Sequence, residues 1–224
     1  MSELENKNLS KENETYMARR SRFTLEIVGA ALFGALSIVL SALLVPIIPR
    51  IQGWGIAIID PVSILWIICF LIFGARSGLL CCGIGTIGLM PFDPFAPIGP
   101  IMKFSATVPL IIIPVIFLKL YKSEMGIRVS RRIKVLKNYV LYGTLGTILR
   151  IGIMMIFNVL LFITLFSDSI AFVDLSFIGL SGISGWTAII IGVIIINAET
   201  SLWDLLIPYS VVFGLKLDDM FEIW

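Results

Sequence analysis

Several polar side chains of this 224-residue chain sit among apolar neighbours that leave them little water: Lys103, Arg150, Asn158, Asn197, Glu199 and Asp204. A charge near the centre of a bilayer costs about 2.5 to 3.5 kcal/mol on insertion scales, so each such group needs a partner, a water-filled cavity or a ligand. The chemistry open to them is binding, pairing or proton relay. Much else is excluded by what the chain lacks. It has no histidine, which removes the commonest general base, the usual zinc ligand and the Ser/His and Cys/His nucleophilic pairs. Cys69, Cys81 and Cys82 lie in apolar runs without CxxC spacing and read as small core or lipid-facing residues, not as a metal site or a disulfide. Paired catalytic carboxylates are also missing. The expectation is a protein that binds and transports and is not an enzyme, with no metal and no cofactor of its own.

The elements that hold these residues follow from composition. The chain is 58% apolar and 14% charged, with a mean hydropathy of +1.01, outside the range of ordinary soluble domains. About 20 mostly apolar residues cross the hydrocarbon core, and the sequence offers about six such runs: 24–45, 56–73, 77–90, 101–118, 139–166 and 185–213. The fold class read here is an all-α integral membrane protein of about six transmembrane helices. Residues 1–22 are polar and charged and read as a disordered cytoplasmic tail, 23–215 as the membrane domain and 216–224 as a short cytoplasmic tail. The third run is short and glycine-rich (Gly78, Gly83, Gly85, Gly88), which suits a helix that is tilted, broken or shielded by its neighbours. Lysine and arginine set the orientation. With both termini cytoplasmic, Arg19, Arg20, Arg22, Arg76, Lys119, Lys122, Arg128, Arg131, Arg132, Lys134, Lys137 and Lys216 fall inside, and Arg50 outside with Asp93, Asp168 and Asp174.

Counting about 1.5 Å per residue along the helices puts Arg150 near mid-depth and Glu199 somewhat deeper. A structural Arg150–Glu199 ion pair is expected, with Asp204 pairing a basic residue at the helix ends or facing a partner subunit. Lys103 and Asn158 come out in the outer half, beside the run Met90-Pro-Phe-Asp-Pro-Phe-Ala-Pro-Ile-Gly-Pro100. Its prolines forbid a regular helix. The run is either a tight connector or a rigid wall in which Phe92 and Phe95 face a ligand. A pocket is placed there, although Lys103 could also snorkel to the interface and Asn158 could bridge helices. Trp54 and Trp186 fall at outer helix ends, where tryptophan anchors at headgroups or stacks on a ligand. In helix 1, Ala30/Gly34 and Ala31/Ala35 are spaced four apart, which permits close helix approach, either within the bundle or as a docking face made by Ala31, Gly34 and Ala35.

These features together resemble the substrate-binding S component of energy-coupling factor (ECF) vitamin transporters. The resemblance covers about residues 23–215 and rests on Ala31-Leu-Phe-Gly-Ala35, on Asp60-Pro-Val-Ser-Ile-Leu through Phe73-Gly-Ala-Arg-Ser-Gly78, and on Pro97-Ile-Gly-Pro-Ile-Met-Lys-Phe104. Within that family the chain is most similar to riboflavin-specific members, since Met154-Met-Ile-Phe-Asn158 resembles the segment whose asparagine binds the flavin. It departs from them at Gly185-Trp-Thr-Ala-Ile, where asparagine and lysine are expected. The resemblance implies a six-helix subunit that captures a vitamin outside, through Asn158, Lys103, Phe95, Trp54 and Trp186. It also implies docking, through Ala31, Gly34 and Ala35, to a transmembrane coupling protein that works with two ATPase subunits. ATP is then used by the partners; the chain has no Gly-x-x-x-x-Gly-Lys-[Ser/Thr] loop. Membrane lipid is the other expected partner, and nucleic acid is not one. The alternative from another class is a self-sufficient secondary carrier that couples to protons through Arg150, Glu199 and Asp204, against which stands the lack of a visible inverted repeat.

Overall fold

The computed structural model describes residues 3–44, 47–51, 54, 57–120 and 129–221, with side chains from residue 20 onward except at 129 and 130. Eight helices appear among them: α1 (Glu3–Leu44), α2 (Pro61–Phe73), α3 (Ala75–Leu89), α4 (Ile98–Leu120), α5 (Val129–Lys134), α6 (Leu136–Thr164), α7 (Gly185–Gly214) and α8 (Leu217–Phe221). Four have stretches long and apolar enough to cross a membrane: Arg20–Leu44 of α1, then α4, α6 and α7. Lys122 and Arg128 lie outside the described residues.

The two shorter apolar helices explain the middle of the molecule. Asp60 caps α2 by accepting from the Val62 backbone N–H at 3.1 Å, Pro61 fills the first helical position, and Gly74 at φ 94° ends it. That positive φ lets a single residue join α2 to α3. The helix PVSILWIICFLIF is apolar all round, the pattern of a helix buried on every side, and α1, α3, α4, α7 and α8 do pack around it. Thirteen residues reach only about 20 Å, so α2 is a central post and its 56–73 span is shorter than expected, starting at Pro61.

Glycines set the close approaches. A Cβ on Gly78 would lie 2.6 Å from Phe70 Cβ, and one on Gly85 would lie 2.5 Å from Trp66 Nε1, which makes α2 and α3 an antiparallel hairpin. Gly34 meets Ile84 and Gly88 meets Ile38, so α1 and α3 run parallel in contact. On α6, Gly146 faces Leu110 and the Pro109 carbonyl of α4, and Gly143 faces Leu205 of α7. This is the small-residue packing that operates where lipid supplies no hydrophobic drive.

Three stretches read as tail or connector carry helix. Residues 3–22, read as disordered, form the first turns of α1; Glu, Lys, Leu and Ala are good helix formers. The 216–224 tail contains α8, whose Asp218 is buried; residues 222–224 lie outside the described set. Lastly, Gly99 and Pro100 belong to the first turn of α4, where proline is tolerated because no N–H is required of it. Between α6 and α7 the chain adds two 3-10 turns and a small antiparallel hairpin, β1 (Asp174–Leu175) with β2 (Leu180–Ser184).

Candidate functional site

α6 and α7 lie side by side, and the stripe Asn197, Thr200, Asp204 of α7 is spaced three and four apart, so it forms one face. That face holds Arg150 of α6. Nε donates to Asn197 Oδ1 at 3.2 Å, Nη2 to Thr200 Oγ1 at 3.0 Å and Nη1 to Asp204 Oδ2 at 2.5 Å. The guanidinium fork thus meets three acceptors, as buried arginine requires. Asp204 is 1% exposed, and its other oxygen accepts from Ser63 Oγ of α2 at 2.6 Å. Three residues before Ser63, Asp60 pairs with Lys103 of α4 at 3.0 Å, the side chains being 19% and 25% exposed. Lys103, Asp60, Ser63, Asp204 and Arg150 therefore form one polar path linking α4, α2, α7 and α6. Its two cations are matched by its two carboxylates, so no net charge is buried. Such pairing is what makes buried ions tolerable, and removing a single member would leave a buried charge uncompensated.

The expected Arg150–Glu199 pair is not formed. Glu199 sits about 100° round the helix from Thr200 and so leaves the face that Arg150 meets. Its Oε1 accepts from Trp203 Nε1 one turn on, at 2.5 Å, while Oε2 is buried without a partner among the described residues. Asp204, expected to pair at a helix end or with another subunit, is instead the carboxylate that Arg150 selects. Asp60 and Ser63 join the site without standing among the expected site residues. The signal for Asp60 was present: an Asp-Pro pair opening an apolar run is an N-cap, and Lys103 at membrane depth needs an anion.

Beside the path, on the side of the hairpin, an apolar cluster forms from Ala106, Met154, Ile189 and Val193, against which Trp54, Met102 and Phe162 pack. Trp54 lies over Gly192, where a Cβ would run into the indole; its Nε1 donates to the Asp174 carbonyl at 3.3 Å, and its ring meets Phe177 edge-on at 6.1 Å. Asn158 is half-buried about two turns beyond Arg150 on α6 and about 80° round from it, and its amide donates to the Met154 carbonyl at 2.8 Å. Trp54, Lys103 and Asn158 are thus brought to one end of the bundle. Phe95 and Trp186 stand outside this cluster and are exposed, Phe95 with the Arg50 guanidinium 6.0 Å from its ring centroid. Toward the opposite end, α2, α4, α6 and α7 leave an apolar gap of about 10 Å³ among Phe70, Leu110, Pro114 and Tyr142, room for about one water.

The helix 1 residues divide. Ala30, Gly34, Ser37 and Ser41 face inward and are buried, with Trp66 Nε1 donating to Ser37 Oγ at 3.0 Å. Gly34 is therefore spent on Ile84 and is not available as a docking surface, contrary to expectation. Ala31 and Ala35, about 100° round from it, are exposed. Among the described residues no group of three or more Cys, Asp or Glu side chains is placed to hold a metal.

Fold and site together define a mostly helical protein with four helices long and apolar enough to cross a membrane and a paired ionic centre between them. No family model matches the chain, and no curated protein or solved structure matches it either.

Proposed function

We propose that the chain is the substrate-binding S component of an ECF-type transporter, a multi-pass protein of the cell membrane that takes a vitamin from outside and is not itself an enzyme. On this reading α1, α2, α3, α4, α6 and α7 make six crossings, both termini are cytoplasmic, and α2 and α3 cross as short helices shielded by longer ones. A coupling protein would dock on the exposed Ala31 and Ala35 stripe of α1, and two partner ATPases would supply the energy. The observation that carries the reading is the junction of Lys103 and Asp60, still partly open, with the Trp54, Met102 and Met154 cluster on one end of the bundle. An apolar aromatic wall beside a few fixed polar groups is the usual make-up of a small-molecule site. The sequence resemblance supports it, and riboflavin is the leading ligand.

The test is to purify the protein in mild detergent from cells grown in rich medium, denature it, and identify the released molecule by absorbance and mass spectrometry. A stoichiometric flavin supports family and substrate together. Another vitamin keeps the class and removes riboflavin. A second reading, a proton-coupled carrier acting alone, is favoured by one observation, the carboxylates of Asp204 and Glu199 in the middle of α7. It would be supported by uptake into vesicles without ATP or partner subunits.

A further inference from the structure

At the end of the bundle where α2 turns into α3, a second charged cluster stands apart from the ionic centre. Lys134 of α5 reaches Asp218 Oδ2 at 2.9 Å and Asp219 Oδ2 at 3.0 Å, both in α8. Its own carbonyl accepts from Tyr209 Oη of α7 at 2.9 Å. At the far end of α8, Phe221 packs on Phe73 with ring centroids 5.3 Å apart, and Phe73 meets Phe33 of α1. Lys134, the Phe221 ring contact and Leu217, which packs on the main core, thus hold α8 across the foot of α2.

This latch is not saturated. The Asp218 side chain is 4% exposed, yet its Oδ1 has no hydrogen-bond partner among the described residues. Asp219 is 54% exposed, and an exposed pair is weak and screened by salt. Among the described residues cations outnumber the two carboxylates: Arg131 lies one turn before Lys134 in α5 and Lys216 immediately precedes α8, and both are exposed. Large apolar side chains are exposed at the same end, among them Leu120, Val135, Leu136, Leu215 and Met220. Apolar and basic side chains side by side at the ends of membrane-length helices fit a bilayer interface, with stems in the acyl boundary and cations among anionic headgroups.

We propose that this end binds an anionic lipid headgroup through Arg131 and Lys216, and that the headgroup releases α8 by competing with Asp218 and Asp219 for Lys134. The exposed Asp219 pair and a headgroup phosphate attract the one ammonium with similar strength, and Asp218, whose Oδ1 already lacks a partner among the described residues, is the second carboxylate that must let go, so the composition of the leaflet tips the balance. The inference depends on the protein lying in a membrane and not on which solute it handles, so it stands or falls apart from the transport reading.

The test places spin labels on Val135→Cys and Met220→Cys; the native cysteines Cys69, Cys81 and Cys82 are buried. Distances are measured in full-length protein in phosphatidylcholine nanodiscs and in nanodiscs containing phosphatidylglycerol. Phosphatidylglycerol should raise the long-distance, released population about threefold, the shift that one partly exposed ion pair supports. Arg131→Gln with Lys216→Gln should abolish that response, and Asp218→Asn with Asp219→Asn should release α8 in both lipids. Should the first pair lose helix content by circular dichroism, Lys216→Gln alone, outside any helix, takes its place. Equal distances in the two lipids, or a response that survives loss of Arg131 and Lys216, overturn the proposal. Release by free inorganic phosphate in phosphatidylcholine to the same extent overturns the lipid assignment.

Discussion

Replacing Arg150 by methionine tests the ionic centre where it is most deeply buried. Arg150→Met keeps much of the side-chain volume but removes three hydrogen bonds, to Asn197, Thr200 and Asp204. It leaves the Asp204 carboxylate, 1% exposed, with Ser63 as its sole remaining partner among those described. Stranding a buried charge in this way costs about 3–5 kcal/mol. For a chain of this size that corresponds to a fall of about 6–20 °C in Tm. The double variant Arg150→Met/Asp204→Leu removes both charges at once. It should recover most of the loss, because replacing a whole buried pair by apolar residues is often neutral or stabilising by about 1–4 kcal/mol. The assay is thermal unfolding in detergent for the wild type, both single variants and the double, closed as a double-mutant cycle. A loss under about 1 kcal/mol for Arg150→Met, or single effects that simply add, would refute a tightly coupled buried pair.

Helix 1 should separate folding from docking. Gly34→Leu drives a side chain into Ile84, whose Cγ2 is 2.8 Å from the Cβ position, and should cost about 1–3 kcal/mol in thermal unfolding. Ala31→Leu with Ala35→Leu, on the exposed side, should stay within about 0.5 kcal/mol while abolishing co-purification with a coupling subunit. Gly85→Ala should cost a similar 1–3 kcal/mol, roughly, because its Cβ displaces the Trp66 ring from Ser37, seen as a changed tryptophan fluorescence. The α8 latch should hold over a wide pH window. The Asp218 hydrogen bond, with Asp219 adding to it, raises the Lys134 pKa above the ordinary 10.5, so its contribution is complete below that value and lost as pH rises through the raised one. The Lys134 hydrogen bond lowers Asp219 below the ordinary 3.8, so its contribution is present above that value and lost as pH falls through the lowered one. Distances between labels on Val135→Cys and Met220→Cys should therefore stay constant near neutrality and lengthen at both extremes.

Much of the bundle was legible because its strongest signals are one-dimensional. Long apolar runs gave α1, α4, α6 and α7, and the Asp60-Pro61 and Gly74 punctuation bounds α2. The limits are equally physical. Hydropathy marks an apolar run but not the residue at which its helix begins, so the 56–73 span runs past the Pro61 start of α2. Composition alone made 3–22 a tail, although its residues favour helix. Nor does a weak two-residue ladder such as β1 rise above the loop pattern around it. At the site, depth counting correctly marked Lys103, Arg150 and Asp204 as groups needing partners but chose Glu199 for Arg150, because depth ignores azimuth. The spacing of Asn197, Thr200 and Asp204 carried that information, as did the four-residue spacing that puts Gly34 with Ala30, inward, and apart from Ala31 and Ala35.

The central claim, capture of a vitamin by a subunit that cannot move it alone, is tested most directly with the purified chain in liposomes and a panel of labelled vitamins, riboflavin first. The account predicts stoichiometric, saturable binding of one vitamin, with no accumulation inside the vesicles under any imposed proton gradient until a coupling protein and its ATPases are added. Accumulation by the chain alone under a proton gradient, or no binding of any vitamin, would contradict it.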